Sequence, residues 1–389
     1  MLLMIPGPIE LSPAVHAACA MAPLSHVDPA LIEHGRQALV GMRAAWQAAE
    51  NSLPVVISGG GTAAMDMAVH NLVDAEDDVL VVSTGYFGDR MAEMMRRRGA
   101  RVKVLDYAPG DAPEVGAVEA ELDRGPYKVL AATHVDTSTG VRIDPGPMAR
   151  AARQRDMLSI FDGVCATGAE TFAMEAWGAD VYLTASQKAI GLPPGLGLVV
   201  FSQRALRRRT SLRHAPPMAL DLAHWEPIMR AYLEGRGSYF STPATSLWRG
   251  LATALDELLT EGMQQVFSRH ARVATAMRRA WATLGLELLP DQQHAAHTLS
   301  TLRFPPGVGP ELVAAVAARG VAIAGGLHPL VRHQTFRVGH MGFSARTPPH
   351  LLQTVDAVGR ALGGCGHSCD VPNALHGLAA DLAFLPTSS

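Results

Sequence analysis

Cysteines, lysines and long apolar runs are all scarce in this chain, and each scarcity excludes something. Four cysteines in 389 residues, at positions 19, 165, 365 and 369, are too few and too scattered for a disulfide scaffold, so a reduced compartment fits. No run of about 18 apolar residues is free of charge or proline, and the apolar opening MLLMIPGP breaks at Pro6, short of a secretory core with its cleavage site. The expected location is the cytoplasm, with no membrane partner. Charge of one sign is also lacking. A formal net charge of −3 with 18% charged residues exerts no long-range pull on nucleic acid. The triplets Arg96 to Arg98 and Arg207 to Arg209 stand alone and read as solvated helix faces. With 48% hydrophobic residues the chain is not disordered, and it contains no internal repeat.

A chain of this length exceeds one simple core. Short apolar runs alternate with helical stretches, the pattern of a parallel sheet covered on both faces by helices. PVVIS (54–58), DVLVVS (78–83), RVKVLD (101–106), KVLAATH (128–134), MLSIFD (157–162), ADVYLTA (179–185) and LGLVVFS (196–202) read as seven strands. From about residue 243 the pattern changes to long helices, followed by the strand-like segments STLRF, VAIAGG and TFRVGH, which reads as a linking helix and a smaller domain. The expected fold class is α/β, with a mostly parallel seven-stranded sheet in a large domain and a smaller α+β domain. The expected divisions are an N-terminal arm (1–20), the large domain (21–260), the small domain (261–365) and a tail (366–389). The CGHSC cluster in the last part has only three ligands within five residues and no second cluster to complete a tetrahedral site, so it reads as a docking tail, with no metal expected.

Candidate chemistry gathers at the carboxyl ends of the strands, where open α/β sheets place their ligands. Ser58-Gly59-Gly60-Gly61-Thr62 lies between a strand and an amphipathic helix. Its backbone amides and the helix N-terminus suit a phosphate group, although a glycine turn is also the plain way to leave a strand. Asp162 ends a strand, and Lys188 follows 26 residues later in a loop after the next one. The chain has only two other lysines, Lys103 and Lys128, and both belong to strands. A carboxylate that keeps a pyridine nitrogen protonated and an amine that attaches to an aldehyde are the two groups pyridoxal-phosphate chemistry requires. A helix cap and a surface lysine are the plainer readings of the same residues.

The segment Thr184-Ala185-Ser186-Gln187-Lys188, followed by AIGLPPGLG, resembles the lysine segment of the class V aminotransferases of fold type I, in the alanine–glyoxylate, serine–glyoxylate and serine–pyruvate group. IPGP, VISGGGT, GYFGDR, THVDTSTGV, YFSTPATS and FRVGHMG match in the same order, from about residue 4 to residue 360. The resemblance implies that Lys188 carries pyridoxal 5'-phosphate and that Asp162 pairs with its ring nitrogen, these two being the catalytic pair. It places Phe87 on the ring, Thr137 near the ring hydroxyl, Val164 against the cofactor, and Gly60, Gly61, Thr62 and Gln187 around the phosphate. Tyr239 and Thr242 would reach the phosphate of a neighbouring subunit's cofactor, which implies a homodimer with shared sites.

Arg337 alternates with apolar residues on a strand and is either exposed or turned into a cleft. With the resemblance it becomes the holder of a substrate carboxylate, gripped through two parallel hydrogen bonds. Gly7, in Pro6-Gly7-Pro8, lies where relatives close the pocket over small substrates. The expected partners are small amino acids such as alanine or serine and 2-keto acids such as glyoxylate or pyruvate, used in a ping-pong cycle. Two alternatives keep the cofactor: a lyase or desulfurase, for which Cys165, Cys365 and Cys369 are the available thiols, and a pyridoxamine–pyruvate activity, whose glycine loop carries an acidic residue where this chain has Gly60.

Overall fold

Apolar runs such as PVVIS show no polar alternation because both of their faces are covered. The computed structural model describes residues 1–385. The chain opens with β1 (Leu2–Leu3), α1 (Pro13–Ala20) and α2 (Pro29–Ala45). Strands and helices then alternate through β2 (Leu53–Ser58), α3 (Gly61–Leu72), β3 (Asp78–Ser83), α4 (Tyr86–Arg97), β4 (Arg101–Asp106), α5 (Val115–Leu122) and β5 (Val129–Thr133). A small antiparallel hairpin, β6 (Val135–Asp136) and β7 (Val141–Arg142), precedes α6 (Pro145–Gln154), β8 (Leu158–Asp162), α7 (Met174–Trp177), β9 (Val181–Ala185) and β10 (Leu196–Phe201).

The seven-stranded sheet has the order β2-β10-β9-β8-β5-β3-β4, and only β10 runs against the rest. All five residues of β5, β8 and β9 are buried, as central strands require. β4 at the edge carries exposed Arg101 and Lys103, charges that discourage pairing with another chain. Caps start several helices where the sequence offers an oxygen. Asp144 accepts from the Gly146 amide ahead of α6, and Ser12 accepts from Val15 ahead of α1. One large apolar cluster, with Trp46, Phe161, Tyr182 and Phe201, fills the space around the sheet.

The C-terminal part comprises α8 (Gln203–Thr210), α9 (Leu222–Leu233), α10 (Thr245–Glu261), α11 (Met263–Thr283), β11 (Leu299–Arg303), α12 (Glu311–Ala317), β12 (Val321–Ala322), β13 (Ala324–Gly325), β14 (Thr335–Gly339), α13 (Pro348–Gly364) and α14 (Val371–Asp381). A second core, containing Trp281 and Phe336, lies beneath the three-stranded sheet β11-β14-β13. β1 pairs in parallel with β12, and the Gly339 amide donates to the Met4 carbonyl, so the N-terminal arm is laced into this part of the molecule.

The helical stretch after residue 243 divides at Gly262, φ +86°, into α10 and α11. Two expectations need correction. VAIAGG is two short strands, since Val321–Ala322 pairs with β1 while Ala324–Gly325 pairs with β14, and Ile323 between them is buried in the core. The 207–209 triplet is no solvated face. Arg208 binds Asp77 and the Leu72 carbonyl, and Arg209 forms a two-pronged pair with Asp221, so both tie α8 to neighbouring segments. The CGHSC segment is pinned by His367 to the Leu284 carbonyl and by Cys369 to the Gly359 carbonyl, and α14 packs on α11 and α13. Among the described residues no group of three His, Cys, Asp or Glu is placed to hold a metal ion, and no helix is long and apolar enough to cross a membrane. The last four residues of the expected tail, 386–389, lie outside the described residues.

A side chain at Gly262 would be forced into a backbone region L-residues avoid, so Gly262→Ala is expected to lower unfolding free energy by about 1–2 kcal/mol. Urea titration checks it, and a midpoint equal to that of the parent chain would show that this conformation does not hold the break.

Candidate active site

Asp162 is the last residue of β8, flanked in the sheet by Thr133 of β5 and Leu183 of β9. Its side chain is 1% exposed and accepts the Val164 amide at 2.9 Å. Burial pushes its pKa up to about 7; nearby Asp136 adds to the rise, while the Val164 N–H, Lys188 and Arg90 oppose it. Lys188 follows β9 in a turn and is also buried, with its amine donating to the Pro6 carbonyl. Burial lowers its pKa from the ordinary lysine value and Arg337 lowers it further, against the opposing pull of Cys165 and Asp162. The structure thus brings both Asp162 and Arg337 near enough to Lys188 to bias its protonation, in opposite directions.

The Gly59–Gly61 turn joins β2 to α3, with Gly60 as the helix N-cap. A methyl group at Gly60 would meet nothing within 4 Å, whereas one at Gly61 would meet Val164 Cγ2 at 2.8 Å. Open space therefore lies over the cap, and Val164 presses the Asp162 loop against the glycine turn. The Oε1 of Gln187 is buried without a hydrogen-bond partner.

Two sequence motifs turn out to be one hydrogen-bonded unit. Asp136, wholly buried in the β6 hairpin, accepts from the amides of Phe87 and Gly88 with one oxygen and from the amide and hydroxyl of Ser138 with the other. The Ser138 hydroxyl in turn receives the Tyr86 amide at 3.0 Å. This locks the start of α4 and the placement of Phe87. Sequence reasoning missed Asp136, although its signal stood inside THVDTSTGV: an acid flanked by small hydroxyl residues, a pattern that fastens turns. Thr137 is buried beside it, and its carbonyl accepts Nη1 of Arg337 at 3.2 Å. Arg337 also donates Nε to the Gly325 carbonyl at 2.9 Å and forms no ion pair among the described residues.

Gly7 lies against Lys188, since a methyl group there would meet the lysine Cδ at 2.7 Å, and its φ of +98° already favours glycine. Cys165 is 1% exposed with its sulfur 3.6 Å from the Thr298 hydroxyl, so it is a packed residue in a small apolar cluster with Ile9 and Ala189. His134 is structural: burial pushes its pKa down to about 4, and its Nδ1 lies 2.9 Å from the Tyr182 hydroxyl. Tyr239 and Thr242 stay apart from these groups, on the exposed connection between α9 and α10.

A mostly parallel seven-stranded sheet with a carboxylate at one strand end and a lysine after the next defines a pyridoxal-phosphate transferase of fold type I. The chain belongs to the aminotransferase class V family, whose model matches residues 31–345. It is 34% identical to alanine–glyoxylate aminotransferase 1 of Saccharomyces cerevisiae, over 92% of this chain and 97% of that protein. The structure of an alanine–glyoxylate aminotransferase from Nostoc sp. superposes with a TM-score of 0.87 at 29% identity, covering 93% of this chain and 95% of the other. A pyridoxamine–pyruvate aminotransferase from Mesorhizobium loti superposes with a TM-score of 0.91 at 25% identity, covering 98% and 97%. The protein is a pyridoxal-phosphate-dependent aminotransferase.

The raised pKa of Asp162 carries a stability consequence for the cofactor-free chain. Between the ordinary aspartate value and about 7 the folded chain holds a proton that the unfolded chain has released, so stability falls as pH rises through that window. Asp162→Asn removes this loss. Relative to the parent chain it is expected to gain more stability at pH 8 than at pH 5, by a difference on the order of a few kcal/mol. Urea unfolding at the two pH values measures it, and a difference independent of pH would contradict the buried, protonated carboxyl.

Proposed function

We propose that Lys188 and Asp162 hold pyridoxal 5'-phosphate and that the enzyme moves an amino group from a small amino acid, such as alanine or serine, to glyoxylate or pyruvate. The observation that carries this reading is the grouping around Lys188 of a buried lysine amine held at a carbonyl, a buried carboxyl with a single amide partner, and a half-buried arginine with no carboxylate partner among the described residues. The residues fit the cofactor. Space without side chains over Gly60 suits a phosphate at a helix N-terminus, the unpartnered Gln187 oxygen lies next to the lysine, and Asp162 lacks the cationic partner that a protonated ring nitrogen would provide.

When bound, the cofactor supplies an electron sink for the substrate α-carbon and carries the amino group between two half-reactions, hence ping-pong kinetics. The chain's own groups do the rest. Burial and Arg337 favour the neutral form of the Lys188 amine, which suits it to attack an aldehyde carbon and then to move the proton at Cα. Arg337, steadied by the carbonyls of Gly325 and Thr137, keeps N–H groups free for a carboxylate and so orients the amino acid. Phe87, held by Asp136 through its amide, offers a ring face to the cofactor. Gly7 and the Pro6 carbonyl crowd the lysine and favour small substrates.

We also propose a homodimer in which Tyr239 and Thr242 serve the partner's site. Tyr239 is 61% exposed and so within reach of a second copy. A pyridoxamine–pyruvate activity is a weaker fit, because Gly60 presents no acidic group. A desulfurase is weaker still, because Cys165 is packed against Thr298 and the Cys369 thiol is tied to a carbonyl.

The purified enzyme is given alanine, serine or pyridoxamine as donor and glyoxylate or pyruvate as acceptor, and the new amino acid is measured. Lys188→Ala is expected to lose all turnover. Arg337→Gln is expected to weaken use of the amino acid by about 10- to 100-fold in kcat/KM, as for loss of a charged two-pronged contact. Full turnover by Lys188→Ala, or transfer from pyridoxamine alone, would overturn the assignment.

A further inference from the structure

Phe87 and its turn use only part of the GYFGDR motif; Arg90 has no assigned task. Its Nη1 donates to the Thr62 hydroxyl at 3.1 Å, and its Nη2 to the Tyr86 hydroxyl at 3.2 Å. The guanidinium carbon lies 4.9 Å from the Tyr86 ring centroid and 5.0 Å from that of Phe87. Among the described residues it forms no ion pair, so an arginine charge rests on two hydroxyls and two ring faces. Thr62 is the second residue of α3, directly after the Gly60–Gly61 turn. Arg90 is therefore set against the first turn of the helix whose N-terminus suits the cofactor's phosphate.

Charge balance gives this placement weight. A phosphate monoester carries roughly −1.5 to −2 near neutral pH, while a helix N-terminus offers about +0.5. At least one negative charge is left over. Gly60 adds no side chain, Lys188 is committed to the aldehyde carbon, and Arg337 is anchored to the carbonyls of Gly325 and Thr137. Arg90 is the remaining cation at the glycine turn.

We propose that Arg90 is the phosphate-holding cation of this enzyme: oriented by Thr62 and Tyr86 and lying along Phe87, its guanidinium donates to the cofactor's phosphate. The inference rests on the proposed cofactor site and adds to it a residue and a charge. A planar guanidinium keeps several N–H groups after its two hydroxyl contacts, enough for a two-pronged grip on an oxyanion.

The test uses two aldehydes that share ring and aldehyde and differ only in the phosphate. Cofactor-free parent chain, Arg90→Gln and Arg90→Lys are each titrated with pyridoxal 5'-phosphate and with pyridoxal, following the absorbance of aldehyde joined to Lys188. Arg90→Gln is expected to weaken binding of the phosphorylated aldehyde by about 10- to 100-fold, change that of pyridoxal by no more than about twofold, and leave Arg90→Lys between the two. Inorganic phosphate should raise the thermal midpoint of the parent chain and not that of Arg90→Gln. Matching circular dichroism qualifies each variant, and Arg90→Met, which keeps the stem on the rings, replaces a glutamine variant that does not fold. Equal weakening of both aldehydes would make Arg90 a prop for Phe87 and overturn the inference, as would unchanged affinity for the phosphorylated one. Failure of the parent chain to join either aldehyde would instead overturn the cofactor site itself.

Discussion

A carboxyl group buried without a cation at hydrogen-bond distance is the constraint around which this protein is organised. At the end of β8 Asp162 gives up its water and receives one amide hydrogen bond in return. Desolvation of that kind penalises the charged form and, with Asp136 nearby, pushes its pKa up to about 7. Such a site is uncomfortable alone and becomes favourable when a ligand brings a protonated nitrogen to it.

The rest of the molecule makes that burial possible. Neighbouring strands β5 and β9 hold Asp162 in register on both sides, and all fifteen residues of β5, β8 and β9 are withdrawn from water. Asp136 holds the α4 start by two hydrogen bonds and Ser138 of its own hairpin by two more, so a second buried carboxyl group positions Phe87 and raises the first one's proton affinity. The N-terminal arm closes the arrangement. It pairs with β12, receives the amide of Gly339, the last residue of β14, and delivers the Pro6 carbonyl to Lys188, so the small sheet and the lysine turn are mechanically joined.

Much of this was legible before folding was considered. Buried strands announced themselves as unbroken apolar runs, the glycine turn by its composition, and Asp162 and Lys188 by their places after strands. The roles given to Phe87, Thr137, Tyr239, Thr242 and Arg337 came only from the family resemblance. Asp136 and Arg90 sat inside recognised motifs yet passed unnoticed, since a buried tether and a bare cation look like any acid or base in a string of letters. The reversal of β10 and the split of VAIAGG escaped for a similar reason: each depends on which partner lies alongside.

The sequence by itself determined the elements and the kind of chemistry, because apolar periodicity, glycine turns and rare lysines act over a few residues. Tertiary structure alone decided the proton states and the geometry. Lys188 meets a carbonyl 182 positions away and Arg337 one 200 positions away. Desolvation and Coulomb forces depend on distance in space, and only the folded chain sets those distances.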